Sequence, residues 1–412
     1  MGASMRLGQG AMGRSASGRA VSALLGLALA ALAACAPRTA PPAPAPPPPP
    51  VVEEKPAELP REEDRHQVAV LVPLSGPNAG VGQSLANAAN LALADTGSPR
   101  VRFTSYDTAA AGAGAAATRA LAEGATLILG PLLASDVAAV RAAVAARPVP
   151  ILSFSNDASV AGGPVHVLGY QPSQSVERVV AHAAERGHRR FAALVPNGTY
   201  GERAAVAFTR AVNERGGQVV AITPFARARE QFPAAARRVT AHDARVKAGT
   251  PGQPAPIGFD ALLIADSGNV AGTFMPDLQK FGAGPPDVLI LGTELWVADP
   301  GIARVEALNG ALFATVSDAR FRTLENRYRA RFGTNPSRLA SLAYDAALLA
   351  IGTAGEWKVG EPFPAARLQD PRGFTGIDGI FRFRGQVAER GLEVKRVTPS
   401  GFVTASPAPT AF

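Results

Sequence analysis

Val68-Ala-Val-Leu-Val-Pro-Leu-Ser-Gly-Pro77 is the stretch that decides the fold of this 412-residue chain. Its opening is an unbroken apolar run that ends in a Pro/Gly loop, the pattern of a strand buried on both faces. Gln67 to Val72 is therefore read as a strand. Gly82-Gln83 then open an alanine-rich helical segment that runs to Asp95. Working outward, Val101 to Tyr106, Leu127 to Leu129 and Ile151 to Phe154 are further strands. Helices at Gly114 to Glu123 and Ala134 to Ala146 lie between them. Short strands alternating with longer helices imply βαβ units and a parallel sheet.

The series then restarts. Arg190 to Val195 and Gln218 to Ile222 flank a helix at Tyr200 to Arg215, and Ala261 to Ala265 and Val288 to Leu291 flank another at Val270 to Phe281. Two α/β series predict two doubly wound lobes, with ligand contacts at the carboxyl ends of the strands. After Gly292 the order is less regular: a strand near Ala311 to Thr315, helices near Phe321 to Phe332 and Leu339 to Ala354, then a β-rich tail from Gly379 to Val397.

The first 35 residues carry Arg6, Arg14 and Arg19, then an uncharged run from Val21 to Ala34, then Cys35, the one cysteine of the chain. A basic start, a short apolar core and small residues read as a signal peptide. Small residues before a cysteine resemble the lipobox of bacterial lipoproteins, which implies a lipidated Cys35 over a leader of 1–35. Residues 36–65 are crowded with proline, including the run Pro46 to Pro50, and read as an extended tether with a reach on the order of 90 Å. Ala36 rather than Asp follows the cysteine, which favours the outer membrane over the inner one. The net charge of +8 less the three leader Arg leaves +5, and only five of the 41 basic residues are Lys. The basic residues are scattered, so no nucleic-acid partner is expected. With no second cysteine, a disulfide within the body is excluded.

The opening strand, loop and helix resemble those of type I periplasmic binding proteins, the family of the leucine/isoleucine/valine-binding protein. Tyr106-Asp107, Ala125-Thr-Leu-Ile-Leu-Gly-Pro131, Val149-Pro150-Ile-Leu-Ser153, Tyr200-Gly201-Glu202 and Phe332-Gly333 with Ala343-Tyr344-Asp345-Ala346 resemble further motifs of that family, in order. The resemblance implies lobe 1 at 66–171 plus 293–378, lobe 2 at 172–292 plus 379–398, and a C-terminal tail at 399–412. The chain would cross between lobes three times at a hinge. The chain is also similar to the penicillin-binding protein activator lipoproteins that use this fold.

Candidate ligand contacts follow from strand ends. Ser75 and Gly76 open a helix whose free N–H groups suit a carboxylate. Ser135 and the group Phe154, Ser155 and Asn156 sit at neighbouring strand ends. The amino-acid-binding relatives are rich in hydroxyls there, whereas Leu132-Leu133-Ala134-Ser135 keeps one. On the second lobe, the resemblance implies that Tyr200 closes over ligand. Asp266 and Ser267 are placed to receive an ammonium, and Glu294 and Trp296 lie near the hinge. Enzymatic signals are poor, and neither catalysis nor a cofactor is expected. Gly112-Ala-Gly114-Ala-Ala-Ala117 fits a loose dinucleotide pattern but lacks the downstream acid. The five His show no metal spacing, and neither Gly-x-Ser-x-Gly nor Ser-x-x-Lys occurs.

Two functions fit these expectations. One is a periplasmic solute-binding lipoprotein that captures an amino-acid-like ligand for ABC-type import. The other is an outer-membrane activator of a penicillin-binding protein. The tether, the thinned hydroxyl cluster and the motif Phe381-Arg-Phe383 with Glu389-Arg-Gly-Leu392 point to the second.

Overall fold

The opening strand forms as expected, as β1 (His66–Val72), and leads through α1 (Ala79–Thr96) to β2 (Val101–Asp107). The computed structural model of the protein describes residues 64–412 except 148, so the expected leader and nearly all of the tether lie outside the described residues. The first lobe continues with α2 (Ala113–Ala122), β3 (Leu127–Leu129), α3 (Ala134–Ala143), β4 (Ile151–Ser153) and β5 (Val165–Val167). The second begins with α4 (Pro172–Glu185), β6 (Arg190–Pro196), α5 (Thr199–Glu214) and β7 (Gln218–Phe225). It goes on through α6 (Phe232–Val239), α7 (His242–Ala248), β8 (Ala261–Ile264), α8 (Gly268–Lys280), β9 (Leu289–Gly292) and β10 (Leu312–Thr315). The chain then returns to lobe 1 for α9 (Ala319–Phe332), α10 (Ala340–Thr353), β11 (Phe374–Gly376), β12 (Gly379–Arg384) and β13 (Val387–Arg390). It ends in lobe 2 with β14 (Glu393–Thr398) and β15 (Gly401–Ser406).

β1 is apolar throughout because its alternating side chains enter two cores. Val68, Val70 and Val72 pack with α1 and α10, while Ala69 and Leu71 pack with α2 and α3. β6 repeats the device: Ala192 and Leu194 face the core under α6 and α8, and Phe191, Ala193 and Val195 face α4 and α5. Each lobe seats its first helix in the same way. A Cβ on Gly82 would lie 1.8 Å from the Pro73 carbonyl oxygen, and one on Gly201 would lie 1.7 Å from that of Pro196. Only glycine lets each helix approach the proline that ends its strand.

The lobe 1 sheet has the order β11-β12-β13-β5-β4-β3-β1-β2, and the lobe 2 sheet β15-β14-β10-β9-β8-β6-β7. The strands from β1 to β5 pair in parallel, as do those from β6 to β10. In each lobe the chain steps from its first strand to one side and then returns to the other. The switch falls between β1 and β3, and between β6 and β8, where a crevice opens at the strand ends.

Sheet membership differs from the expected division in three places. The 293–315 segment belongs to lobe 2: β10 extends the parallel register of β9, with Leu312 opposite Leu291, and Trp296, Ile302 and Leu308 fill that lobe's core. The 379–390 segment belongs to lobe 1, because β12 pairs antiparallel with both β11 and β13, and β13 docks on β5 at Val387 and Val167. The expected tail supplies β15, an edge strand on β14 whose Phe402 meets Phe313 edge-on at 4.9 Å. The crossings therefore number three, as expected, and fall between Val167 and Pro172, Thr315 and Ala319, and Arg390 and Glu393.

Candidate functional site

On the lobe 1 side of the crevice, Ser75, expected to hold a ligand carboxylate, already bonds one within the chain. Val72 and Asp107 are opposite each other in the β1–β2 register, so Asp107 arrives beside the loop after β1. Its Oδ1 accepts from the Leu74 and Ala109 N–H groups, each at 2.9 Å. The Ser75 hydroxyl, with help from these N–H groups, holds the Asp107 carboxyl below its ordinary range. Ser75 and Gly76 are themselves exposed.

The other lobe 1 candidates scatter. Ser135 is exposed in the first turn of α3 and bonds its neighbour Asp136. Phe154 is a core residue. Ser155 is buried with its Oγ accepting the Asp157 N–H at 3.0 Å, a local turn contact. Asn156 is exposed, and beside it Asp157 takes Arg203 of α5 at 2.8 Å, an ion pair that links the two lobes.

On lobe 2, Asp266 is buried but matched. Its Oδ2 accepts from Arg227 Nε at 2.7 Å and its Oδ1 from the Ser267 N–H at 2.7 Å. Ser267 caps α8, its Oγ accepting from the Val270 N–H at 3.3 Å. Each of these oxygens already accepts a donor from within the chain. Tyr200 and Glu294 do come together: the phenol donates to Thr293 Oγ1 at 3.1 Å and lies 3.4 Å from Glu294 Oε1. Burial raises the pKa of Tyr200, and the negative charge of Glu294 adds to the effect. Glu294 rides on the tight turn after β9 that Trp296 anchors by donating its Nε1–H to the Asp266 carbonyl at 3.0 Å. Its Oε2 is buried without a hydrogen bond, and burial pushes its carboxyl above the usual range, against the lowering effect of its own N–H, Ser175 and Tyr200.

Glu294 lines a cavity of ≈ 150 Å³ to which all three crossings contribute. The first supplies Tyr170, Gln171, Gln174 and Ser175, the second Thr315 and Val316, and the third Arg390 and Leu392. Arg338 and Leu339, at the start of α10, and Val297 complete the wall. Behind it, Arg338 donates to Tyr170 Oη and Ser341 Oγ, both at 2.9 Å, and to Asp378 Oδ1 at 2.8 Å. Burial works against the charge on Arg338, but Tyr170, Asp378 and Asp318 more than offset it and raise its pKa. Arg390 donates to the Leu168 carbonyl at 3.0 Å and lies over the rings of Tyr170 and Phe381, while its Nε and Nη1 are buried without partners. Sequence reasoning missed Arg338 and Arg390. The one available signal was that Arg390 lies in the Glu389-Arg-Gly-Leu392 motif. Among the described residues no acid–His–Cys group is placed to hold a metal, and no helix is long and apolar enough to cross a membrane.

Two doubly wound lobes, joined by three crossings that line a pocket, define a hinged binding fold. The chain belongs to the periplasmic binding protein family, whose profile matches residues 66–394. Among solved structures, it is similar to a branched chain amino acid ABC transporter periplasmic ligand-binding protein from Burkholderia xenovorans LB400. That protein is 19% identical, with 84% of this chain and 96% of that one covered at a TM-score of 0.64. Full-length LpoA from Haemophilus influenzae is 16% identical, with 83% and 59% covered and a TM-score of 0.61. Among curated proteins, the penicillin-binding protein activator LpoA of Serratia proteamaculans is 29% identical over 116 residues, 28% of this chain. An uncharacterised protein of Rickettsia prowazekii is 27% identical over 143 residues, 34% of this chain. The chain matches 17% of the first of these and 38% of the second.

Proposed function

We propose that this protein is a solute-binding protein that captures a small polar ligand between its lobes for delivery to an ABC-type importer. The carrying observation is the cavity at the three crossings, with the unpartnered Glu294 Oε2 in its wall. A buried acceptor left unpaired costs about 1–3 kcal/mol, which a ligand donor at that oxygen relieves. Lobes that meet at such a pocket bind by closing on it. The likeness to a periplasmic ligand-binding protein of an ABC transporter supports this reading. Calorimetry of the purified protein against amino acids and small aromatic carboxylates tests it: binding in the micromolar range is expected, and heat from none of them rejects the proposal.

A second reading is activation of a penicillin-binding protein. It is favoured by the loss of free ligand groups at Ser75, Asp266 and Ser267, each bonded within the chain. The LpoA likeness supports it. Co-purification of a peptidoglycan synthase with the full chain, together with silent calorimetry, would establish it over import. On either reading we place the protein in the periplasm, anchored by lipid on Cys35 and held off the outer membrane by the 36–65 tether. Mass spectrometry of the mature N-terminus tests that anchor, and an unmodified Cys35 rules it out.

A further inference from the structure

We infer that Arg390 is the residue that selects the ligand: it takes the ligand's carboxylate, in place of the loop after β1. This rests on the solute-binding reading and gives that reading a ligand class. Two observations on opposite sides of the cleft carry it. At the β1 loop, Asp107 occupies the donors of Leu74, Ser75 and Ala109. At the hinge, the Arg390 side chain is 2% exposed, and its Nε and Nη1 have no hydrogen-bond partner. Asp345 Oδ2 forms a buried ion pair with it, 3.8 Å from Nη1, which is too long for a hydrogen bond, so both atoms keep unfilled hydrogen-bonding capacity. A buried guanidinium with two idle donors is an unfavourable arrangement that an anion in the adjoining cavity reverses.

Arg338 does not compete for this role, since its Nη1 and Nη2 are committed to Tyr170, Ser341 and Asp378. The same wall carries Glu294 Oε2, an acceptor. Apolar Val297, Val316, Leu339 and Leu392 share it with polar Gln174, Ser175 and Thr315. The ligand class is therefore a compact molecule with a carboxylate at one end, an apolar middle, and a hydroxyl or ammonium at the other. The second end distinguishes it from a simple fatty or aromatic acid.

Calorimetry with 4-hydroxybenzoate, benzoate and L-leucine, on the full-length protein and four variants, tests the assignment. Arg390→Gln is expected to weaken every probe that binds by about tenfold or more, and Arg390→Lys, which retains an amine donor, by a smaller factor. Ser75→Ala is expected to leave affinity within about twofold. Glu294→Gln is expected to narrow the preference for 4-hydroxybenzoate over benzoate. Should Arg390→Gln fail to fold, a thermal scan reveals it and Arg390→Lys decides. If a probe binds and Arg390→Lys leaves its affinity unchanged, or Ser75→Ala abolishes binding, the assignment to Arg390 is overturned while solute binding stands. If no probe binds the unaltered protein, both fall.

Discussion

Gly292 ends β9 directly beneath the indole of Trp296. A Cβ there would lie 2.2 Å from Trp296 Cε2, so this contact fixes the turn that presents Glu294. Gly292→Ala must displace a ring that is 0% exposed, and is expected to cost about 1–3 kcal/mol in urea unfolding. An unchanged midpoint would show that the ring yields freely. Asp345 gives a second residue-level expectation. Burial and the charge of Asp378 push its carboxyl up to about 7, with Arg390 acting the other way. A carboxyl raised on folding stabilises fully below its unfolded pKa, and that contribution is lost as pH rises through the folded value. The stability of the unaltered protein relative to Asp345→Asn is therefore expected to fall as pH rises from about 4 to about 7. A difference that stays flat over that range would contradict it. The same residues show what the sequence could reveal. Tyr200, expected from the family resemblance, and Glu294, expected near the hinge, stand beside each other. The self-occupied Ser75 loop was half legible, since parallel neighbours that start together end together and Asp107 ends the second strand. Arg390 was not legible, because only the docking of β13 on β5 carries it to the hinge.

Among elements, the parallel strands were readable because each is an apolar run between helices of contrasting period. The hairpin of β12 and β13 was seen as β-structure but assigned to the wrong lobe. Its partner β11 has three residues, too few for a pattern, and partner choice is a tertiary matter. The strands β5 and β11 and the helix α4 passed without notice: two are three-residue strands, and α4 begins in a Pro-Ser-Gln-Ser stretch that reads as loop. Between the lobes, α5 reaches back to lobe 1 through Arg203 and Asp157, whose side chains are 41% and 25% exposed. An ion pair this exposed is worth about 0–1 kcal/mol. Arg203→Ala is accordingly expected to leave the melting temperature nearly unchanged while speeding amide exchange in 156–159, where lobe opening would be felt. Exchange no faster than in the unaltered protein would mean that the pair does not restrain opening.

For the whole molecule, the lobes are interleaved in sequence rather than consecutive. Lobe 1 is complete once β13 is present, whereas lobe 2 also needs β14, which covers β10 through Val394 and Lys395, and β15 beyond it. A chain ending after Arg390 is expected to keep lobe 1 resistant to limited proteolysis and to expose lobe 2 to it. Equal resistance in both would show that β10 can serve as an edge.

This interleaving bears on biosynthesis. A nascent polypeptide emerges from the ribosome amino end first, and autonomous units usually fold in that order. Here the earliest five strands wait for a hairpin made some two hundred residues afterwards, and the second half waits for the final strands. Throughout elongation the unfinished halves display naked strand borders and greasy faces. Neither half can therefore close its sheet before nearly the whole polypeptide is available to it.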